Sequence, residues 1–492
     1  EFRYKKRTED GNIERWPMEK PISETTSPPP ARKLGTIEVA AISLGFMGPV
    51  MAMSLNGIGV AELVGKAVPF TFIVASIGTL FVAYSFIRLL GKITHAGSVY
   101  ALAGIALGPR AGFFSGFALL GTYIFLTACI AGACATFFEA LLLEFNLELT
   151  SRAWTLIPII VGIFATLITL RESKIAAKIT LAIGFVGILA MFVLAITIVY
   201  QTGVSASSVP GNLDFTTLLP GENSWKAIAT ASVFAFISWA GFESGSALSE
   251  EADTPKTVIP RALLLAVLFG GLLYVFIMFA QTVGYGTTES GITSFATASS
   301  TLTSLSSEYI GSWYAILIAI IAFIVAFGAF LSSTTATSRL LFALARDGFA
   351  PKAFQQQHPK TAVPVYAVLA TVGLTITMTV ILGLFSVSAV DTYYWYATIG
   401  VLCMIIAYGM ASVGAVKFIC ASKNGIPRWE IVFPIIALIY LGFVYIVQVT
   451  GQNSPYTYFP WIAGAWCIGG YLIALANPKK AKALGRKLIT TS

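Results

Sequence analysis

The chain has 492 residues, of which 56% are apolar, 13% aromatic and only 11% charged. Soluble domains carry about a quarter charged residues, so this composition excludes a soluble globular fold and points to an all-α polytopic membrane protein. Its apolar runs of about 20 residues suit helices crossing a hydrocarbon core of about 30 Å, not a membrane β-barrel, and the +8 net charge reads as basic loops beside anionic lipid, with no nucleic acid needed.

Residues 1–34 are polar and basic, end in Ser27-Pro28-Pro29-Pro30 and hold no run of signal-peptide type; a mostly disordered cytoplasmic tail is expected. From Ile37 the apolar runs divide into twelve spans, at 37–63, 68–90, 111–142, 153–170, 178–201, 226–249, 259–285, 312–344, 364–384, 389–416, 430–449 and 457–476. Glycine and proline mark the joints, as in Gly108-Pro109, Ile157-Pro158 and Val363-Pro364. With both termini cytoplasmic, all of the 31 Lys and Arg residues except Lys66, Arg152 and Lys226 fall inside. That bias is the one expected of a multi-pass plasma-membrane protein, and it leaves 477–492 as a basic cytoplasmic tail.

Spans one and six differ from the others. The first contains Ile42-Ser-Leu-Gly-Phe-Met-Gly-Pro49 and the sixth Phe236-Ile-Ser-Trp-Ala-Gly-Phe-Glu243, with small and polar residues where a lipid-facing helix has aliphatics. Pro49 removes a backbone donor and crowds the carbonyl four residues back, so a kink near Gly45 is expected. Two discontinuous helices five spans apart fit a 5+5 inverted repeat with its binding site at the breaks. For an amino acid substrate, the class that the family resemblance given below implies, the amides of Gly45, Phe46, Met47 and Gly48 would receive the carboxylate. Carbonyls near Ser43 and at Phe236, Ile237 and Trp239, beside Gly241, would then receive the ammonium. Trp239 lies over the substrate as a gate or packs the core, and Tyr123 is a wall candidate or packing. Glu243 holds a proton, meets an ammonium group or ties down backbone donors at the break.

The segment Trp225–Ala262 continues into Glu250, Glu251 and Asp253 and then Ile259-Pro-Arg-Ala262. Together with His95-Ala-Gly-Ser-Val-Tyr100 through Leu107-Gly-Pro-Arg110, and Ser338-Arg-Leu-Leu-Phe342 followed by Ala345-Arg-Asp-Gly-Phe-Ala-Pro351, it resembles the amino acid–polyamine–organocation family of permeases, from about Gly35 to Ala415. The run Leu44-Gly-Phe-Met-Gly-Pro49 departs from the Gly-Ser/Ala-Gly pattern of many members. The resemblance implies a leucine-transporter-type fold, with a ten-helix core at 35–416, two accessory helices at 417–476, and alternating access to a site near the midplane. It also favours, over a merely solvated loop, a latch at the inner gate formed by Glu250, Glu251, Asp253 and Arg261 with Arg339 and Arg346 as cationic partners. In some relatives a lysine of the fifth span stands where others hold sodium. Counted without gaps that position falls near Gly184, so Lys178 is either an interface lysine or, across a shorter loop, a coupling group beside Ser332 and Ser333; without it those hydroxyls could hold sodium.

Five cysteines, Cys129, Cys134, Cys403, Cys420 and Cys467, lie in or near apolar spans at no metal-ligand spacing and read as packing residues. His95 and His358, with no phosphate loop or Ser/His/Asp set, offer little for catalysis, so no enzyme activity and no cofactor beyond a coupling H+ or Na+ is expected. The expected protein is a secondary transporter of amino acids that works as a monomer among membrane lipids. A polyamine or other organic amine permease, a channel and an amino acid sensor are the alternatives.

Overall fold

The computed structural model describes residues 34–92, 98–150, 152–171, 174–204, 211–249, 252–346, 348–359, 361–421, 426–450 and 452–478. Sixteen α-helices follow in chain order: α1 (Thr36–Met47), α2 (Pro49–Val64), α3 (Val68–Leu90), α4 (Ser98–Leu107), α5 (Pro109–Leu143), α6 (Leu156–Leu170), α7 (Lys174–Val204), α8 (Trp225–Ile237), α9 (Pro255–Tyr285), α10 (Glu289–Thr297), α11 (Thr301–Tyr309), α12 (Ser312–Arg346), α13 (Val365–Leu384), α14 (Ala389–Cys420), α15 (Val432–Thr450) and α16 (Phe459–Ala476). Among the described residues, β-structure is limited to two isolated bridges, Leu34 with Ala252 and Gln357 with Pro364. Among the described residues, nine helical stretches are long and apolar enough to cross a membrane. Helices α1 and α8, at 12 and 13 residues, are not, since a crossing takes about 20.

Burial orders the helices into an inner and an outer set. The most apolar windows of α5 and α14 are 72% buried, whereas those of α6 and α15 are 33% buried. The two inner helices approach closely because Gly132 has no side chain: a β-carbon there would stand 3.0 Å from the amide nitrogen of Tyr393 and 3.1 Å from the carbonyl of Ala389. Small residues at helix contacts are what brings backbones together in hydrocarbon, where apolar burial gives no preference for helix over lipid. On α6, by contrast, Ile160, Phe164 and Leu167 form one exposed stripe. Aliphatic and aromatic side chains directed outward at helical spacing mark a surface solvated by lipid.

Two discontinuities position the site. Helix α1 ends at Gly48, which takes a left-handed conformation (φ +59°), and Pro49 starts α2 at once. Glycine accepts that conformation without steric cost, and proline suits a first helical position because its missing N–H would be unbonded there anyway. Helix α8 ends at Ile237 and tightens into successive three-residue turns, with Gly241 at φ +90° before a 3-10 segment, Phe242–Leu248. Both breaks fall where glycine and proline interrupt the apolar pattern. Helix α4 and the pair α10 and α11 fill stretches that the apolar runs leave as loops.

Candidate functional site

The two breaks face each other. The Gly245 amide donates to the Ser43 hydroxyl across 3.1 Å, tying the 3-10 segment to α1. A β-carbon at Gly241 would lie 2.1 Å from the Phe46 ring, so that ring rests directly on the Gly241 backbone. On the other side of the break in α1, Asn56 of α2 donates to the Ser238 hydroxyl over 2.8 Å, and Tyr393 of α14 donates to the Asn56 carbonyl oxygen. Tyr394 donates to the Leu55 carbonyl. Ser43, Asn56 and Ser238 are all buried; such groups in a membrane interior stay only if satisfied, and here Ser43 pairs with the Gly245 amide and Asn56 with Ser238.

The backbone groups at the breaks follow from the turn geometry. The Gly48 amide bonds back to Gly45, and the first i→i−4 bond of α2 runs from Ala52 to Gly48. The amides of Val50 and Met51 therefore open α2 ahead of its hydrogen-bond ladder, at the positive end of the helix dipole. At the sixth-span break the carbonyls of Phe236, Ile237 and Trp239 accept from Trp239, Ala240 and Phe242, at 3.1, 2.9 and 3.1 Å. Each keeps a second lone pair.

Side chains singled out in the sequence divide between this gap and its surroundings. Ser43, Phe46 and Gly241 are where α1 meets the turn and 3-10 segment that follow α8. Gly45 faces elsewhere: a β-carbon there would meet Leu181 of α7 at 2.5 Å. The Met47 methyl lies against Gly270 of α9, as does the Trp239 indole. Trp239 is completely buried, 5.1 Å edge-on from Tyr274 and 6.2 Å from Phe72. Its indole N–H and the Tyr274 hydroxyl have no partner among the described residues. Phe236 points to the rings of Tyr408 and Tyr440, and Ile237 is buried. Glu243 is 2% exposed and accepts a hydrogen bond from Tyr408 of α14.

The latch and coupling candidates are farther apart. Glu250 and Glu251 lie outside the described residues, and so does the side chain of Lys178. Arg261 is exposed on α9, Arg339 is exposed on α12, and Arg346 stacks over Phe342. The Asp253 amide bonds to the Leu34 carbonyl, which fastens the start of α1 to the segment after the 3-10 turn. The two serines of α12 part company: Ser333 shares a 2.7 Å hydrogen bond with Thr127 of α5, while Ser332 is exposed on the face of Gly328, four residues earlier, which meets Thr180 of α7.

Sequence reasoning missed Val50, Met51, Asn56, Tyr393 and Tyr408; Ser238 stood out as a polar residue in mid-span, but without its partner Asn56. Asn56 carried a signal, since an amide side chain inside the apolar run Met51–Ile58 demands a buried partner. The tyrosines carried none.

A family model described as amino acid permease matches residues 34–473. The low-affinity putrescine importer PlaP of Escherichia coli K12 is 26% identical over 71% of this chain and 75% of its own length. The branched-chain amino acid permease BcaP of Bacillus subtilis is 24% identical over 85% of this chain and 90% of its own length. The methylthioribose transporter of the same organism is 23% identical over 71% and 74%, respectively. With the matched region running from the start of α1 into α16, and both helix breaks inside it, this multi-pass membrane protein belongs to the amino acid permease family.

Proposed function

We propose that the protein is a secondary active transporter of amino acids that works by alternating access, with its substrate held between the breaks at Gly48 and Gly241. The observation that carries this reading is the convergence of the two interrupted helices, fastened to each other through Ser43–Gly245 and Asn56–Ser238. Their ends give the gap two unlike poles: the opening amides of α2 favour a carboxylate, and the carbonyl ends of α1 and α8 favour an ammonium group. An α-amino acid carries both charges at the spacing of one carbon. Twelve spans in a 5+5 inverted repeat, with both termini cytoplasmic in the plasma membrane, complete the proposed architecture; support comes from the charge bias of the loops and the paired breaks.

A small or apolar zwitterion is favoured over a polyamine. A diamine needs two anionic partners, and Glu243, the acidic side chain closest in sequence to the Gly241 break, already accepts from Tyr408. The amine reading has its own support in the similarity to a putrescine importer. The test is a thermal-shift panel of the common amino acids, putrescine and spermidine, followed by counterflow in proteoliposomes with the best ligand. Stabilisation by neutral amino acids with counterflow supports the proposal. Stabilisation by putrescine alone transfers the site to the amine reading, and flux without counterflow indicates a channel.

A further inference from the structure

A second recess lies away from the helix breaks, between α5, α14, α15 and α16. Its volume is about 980 Å³, and its walls are nearly all aliphatic or aromatic. Glycines make the space. Gly409 of α14 and Gly442 of α15 line it, and a β-carbon at either would meet nothing within 4 Å; at Gly464 of α16 the nearest atom would be the Tyr445 hydroxyl at 3.8 Å. Among the described residues one cation borders the recess: Arg110, the second residue of α5, is exposed and makes no ion pair with any of them.

We propose that this recess binds an anionic phospholipid, with an acyl chain along the glycine floor and the phosphate at Arg110. Length and charge select that occupant. Along α15 the lining runs from Leu438 to Ile446, which at 1.5 Å per residue is about 12 Å, close to the roughly 15 Å of one leaflet and about half of what a transmembrane partner helix would occupy. The recess also starts at a helix end, beside Arg110, and continues to the middle of α14, α15 and α16. A lipid has this same polarity, an anionic head at the interface and a tail towards the midplane. Basic side chains at the mouths of interhelical pockets are the usual recognition element for such heads. A neutral lipid or a sterol fills the apolar part and leaves the guanidinium without a counter-charge.

The experiment uses the full chain purified in mild detergent, with native mass spectrometry as readout and phosphatidylglycerol and phosphatidylcholine as probes. Wild type should retain phosphatidylglycerol about fivefold better than phosphatidylcholine, the ratio a single interfacial arginine supports, and Arg110→Gln should bring the ratio near one. Gly442→Leu and Gly409→Leu, which extend into empty space, should lower retention of both lipids while the protein still elutes as a single species. Equal retention of the two lipids by wild type, or unaltered retention in the glycine variants, overturns the proposal. A measurement on wild type alone guards against misfolded variants. A phosphatidylglycerol with a photoreactive acyl chain should label peptides spanning 438–446 and 464–471, and labelling confined to other helices counts against the site.

Discussion

A methyl group at Gly241 has nowhere to go: it would stand 2.1 Å from the Phe46 ring, on a backbone at φ +90° that side chains rarely adopt. Gly241→Ala should therefore force the two breaks apart and lower uptake about tenfold or more, taking strain of roughly 1–3 kcal/mol for such a position. Phe46→Ala in the same chain should restore part of the loss, because it removes the clash and leaves the backbone strain. Uptake by Gly241→Ala at the wild-type level would mean that the Phe46 contact is dispensable. Glu243 poses a different problem, since a buried carboxyl group without a partner is costly. Tyr408→Phe should destabilise the protein by about 1–3 kcal/mol in thermal unfolding, whereas Glu243→Gln, which keeps an acceptor for Tyr408, should lose less; equal losses would show that the hydrogen bond is not what holds the pair. The sequence marked Gly241 and Glu243 correctly as unusual for a membrane span, but the reason for each lay in a partner distant along the chain. Gly45 illustrates the limit: its smallness was visible, but not that a β-carbon there would meet Leu181 of α7. Apolar pattern reports which residues do not suit lipid, not which neighbours they meet.

Helices differ in how openly the sequence announces them. The breaks at Gly48 and Gly241 fall inside the two apolar runs that glycine interrupts, the first of them three residues beyond the kink expected near Gly45. Helix α10 was hidden by its composition, with serine and threonine through most of its turns. Its start does carry a cap, the Thr288 hydroxyl accepting from the Gly291 amide, and its hold on the fold is Phe295, stacked 4.9 Å from Tyr285. The link between α2 and α3 is fastened in a way that pH can probe. Lys66 bonds to Asp214 at 3.2 Å and to Thr216 at 2.9 Å. The Thr216 hydroxyl donating to the Asp214 carboxylate, helped by the Thr216 amide and the Lys66 ammonium against partial burial, holds that carboxyl below its ordinary range. A depressed folded-state pKa gives stability that is complete above the unfolded value of about 4 and is lost as pH falls through the lower folded value. Asp214→Asn should thus be less stable than wild type at pH 7, by no more than about 1 kcal/mol for so exposed a pair. The difference should narrow in melts taken at successively lower pH below about 4, and a difference that stays constant throughout would assign the effect to packing.

Across the whole molecule, α7 is wedged between one broken helix and α12, and that placement bears on how transport would be driven. Leu181 meets Gly45 of α1, Thr180 meets Gly328 of α12, and Gly187 meets both Val50 and Ile321. The antiparallel register set by Gly187–Ile321 and Thr180–Gly328 carries position 178 to the level of about residue 330 on α12. It lies one turn from the α1 contact and, at 1.5 Å per residue, about 6 Å into α7 from its start at Lys174. Counting along the sequence from Arg171 had set the family's lysine position six residues deeper; the contacts Leu181–Gly45 and Gly187–Val50 place the break at Gly48 between the levels of 181 and 187, so position 178 lies short of it, level with the part of α1 before Gly45. Ser332 shares the α7-facing side of α12, whereas Ser333 is taken up by Thr127, so of the two hydroxyls Ser332 is the one available to a group on α7. Coupling through Lys178 predicts uptake into proteoliposomes that is driven by an inward proton gradient, indifferent to sodium, and lost in Lys178→Ala while binding in detergent changes by less than tenfold. Uptake driven by a sodium gradient in both wild type and Lys178→Ala, and lost in Ser332→Ala, would assign the coupling to a cation held near Ser332. Equal uptake under a proton gradient, a sodium gradient and no gradient would make the protein an exchanger, with Lys178 an interfacial residue whose removal leaves the rate unchanged.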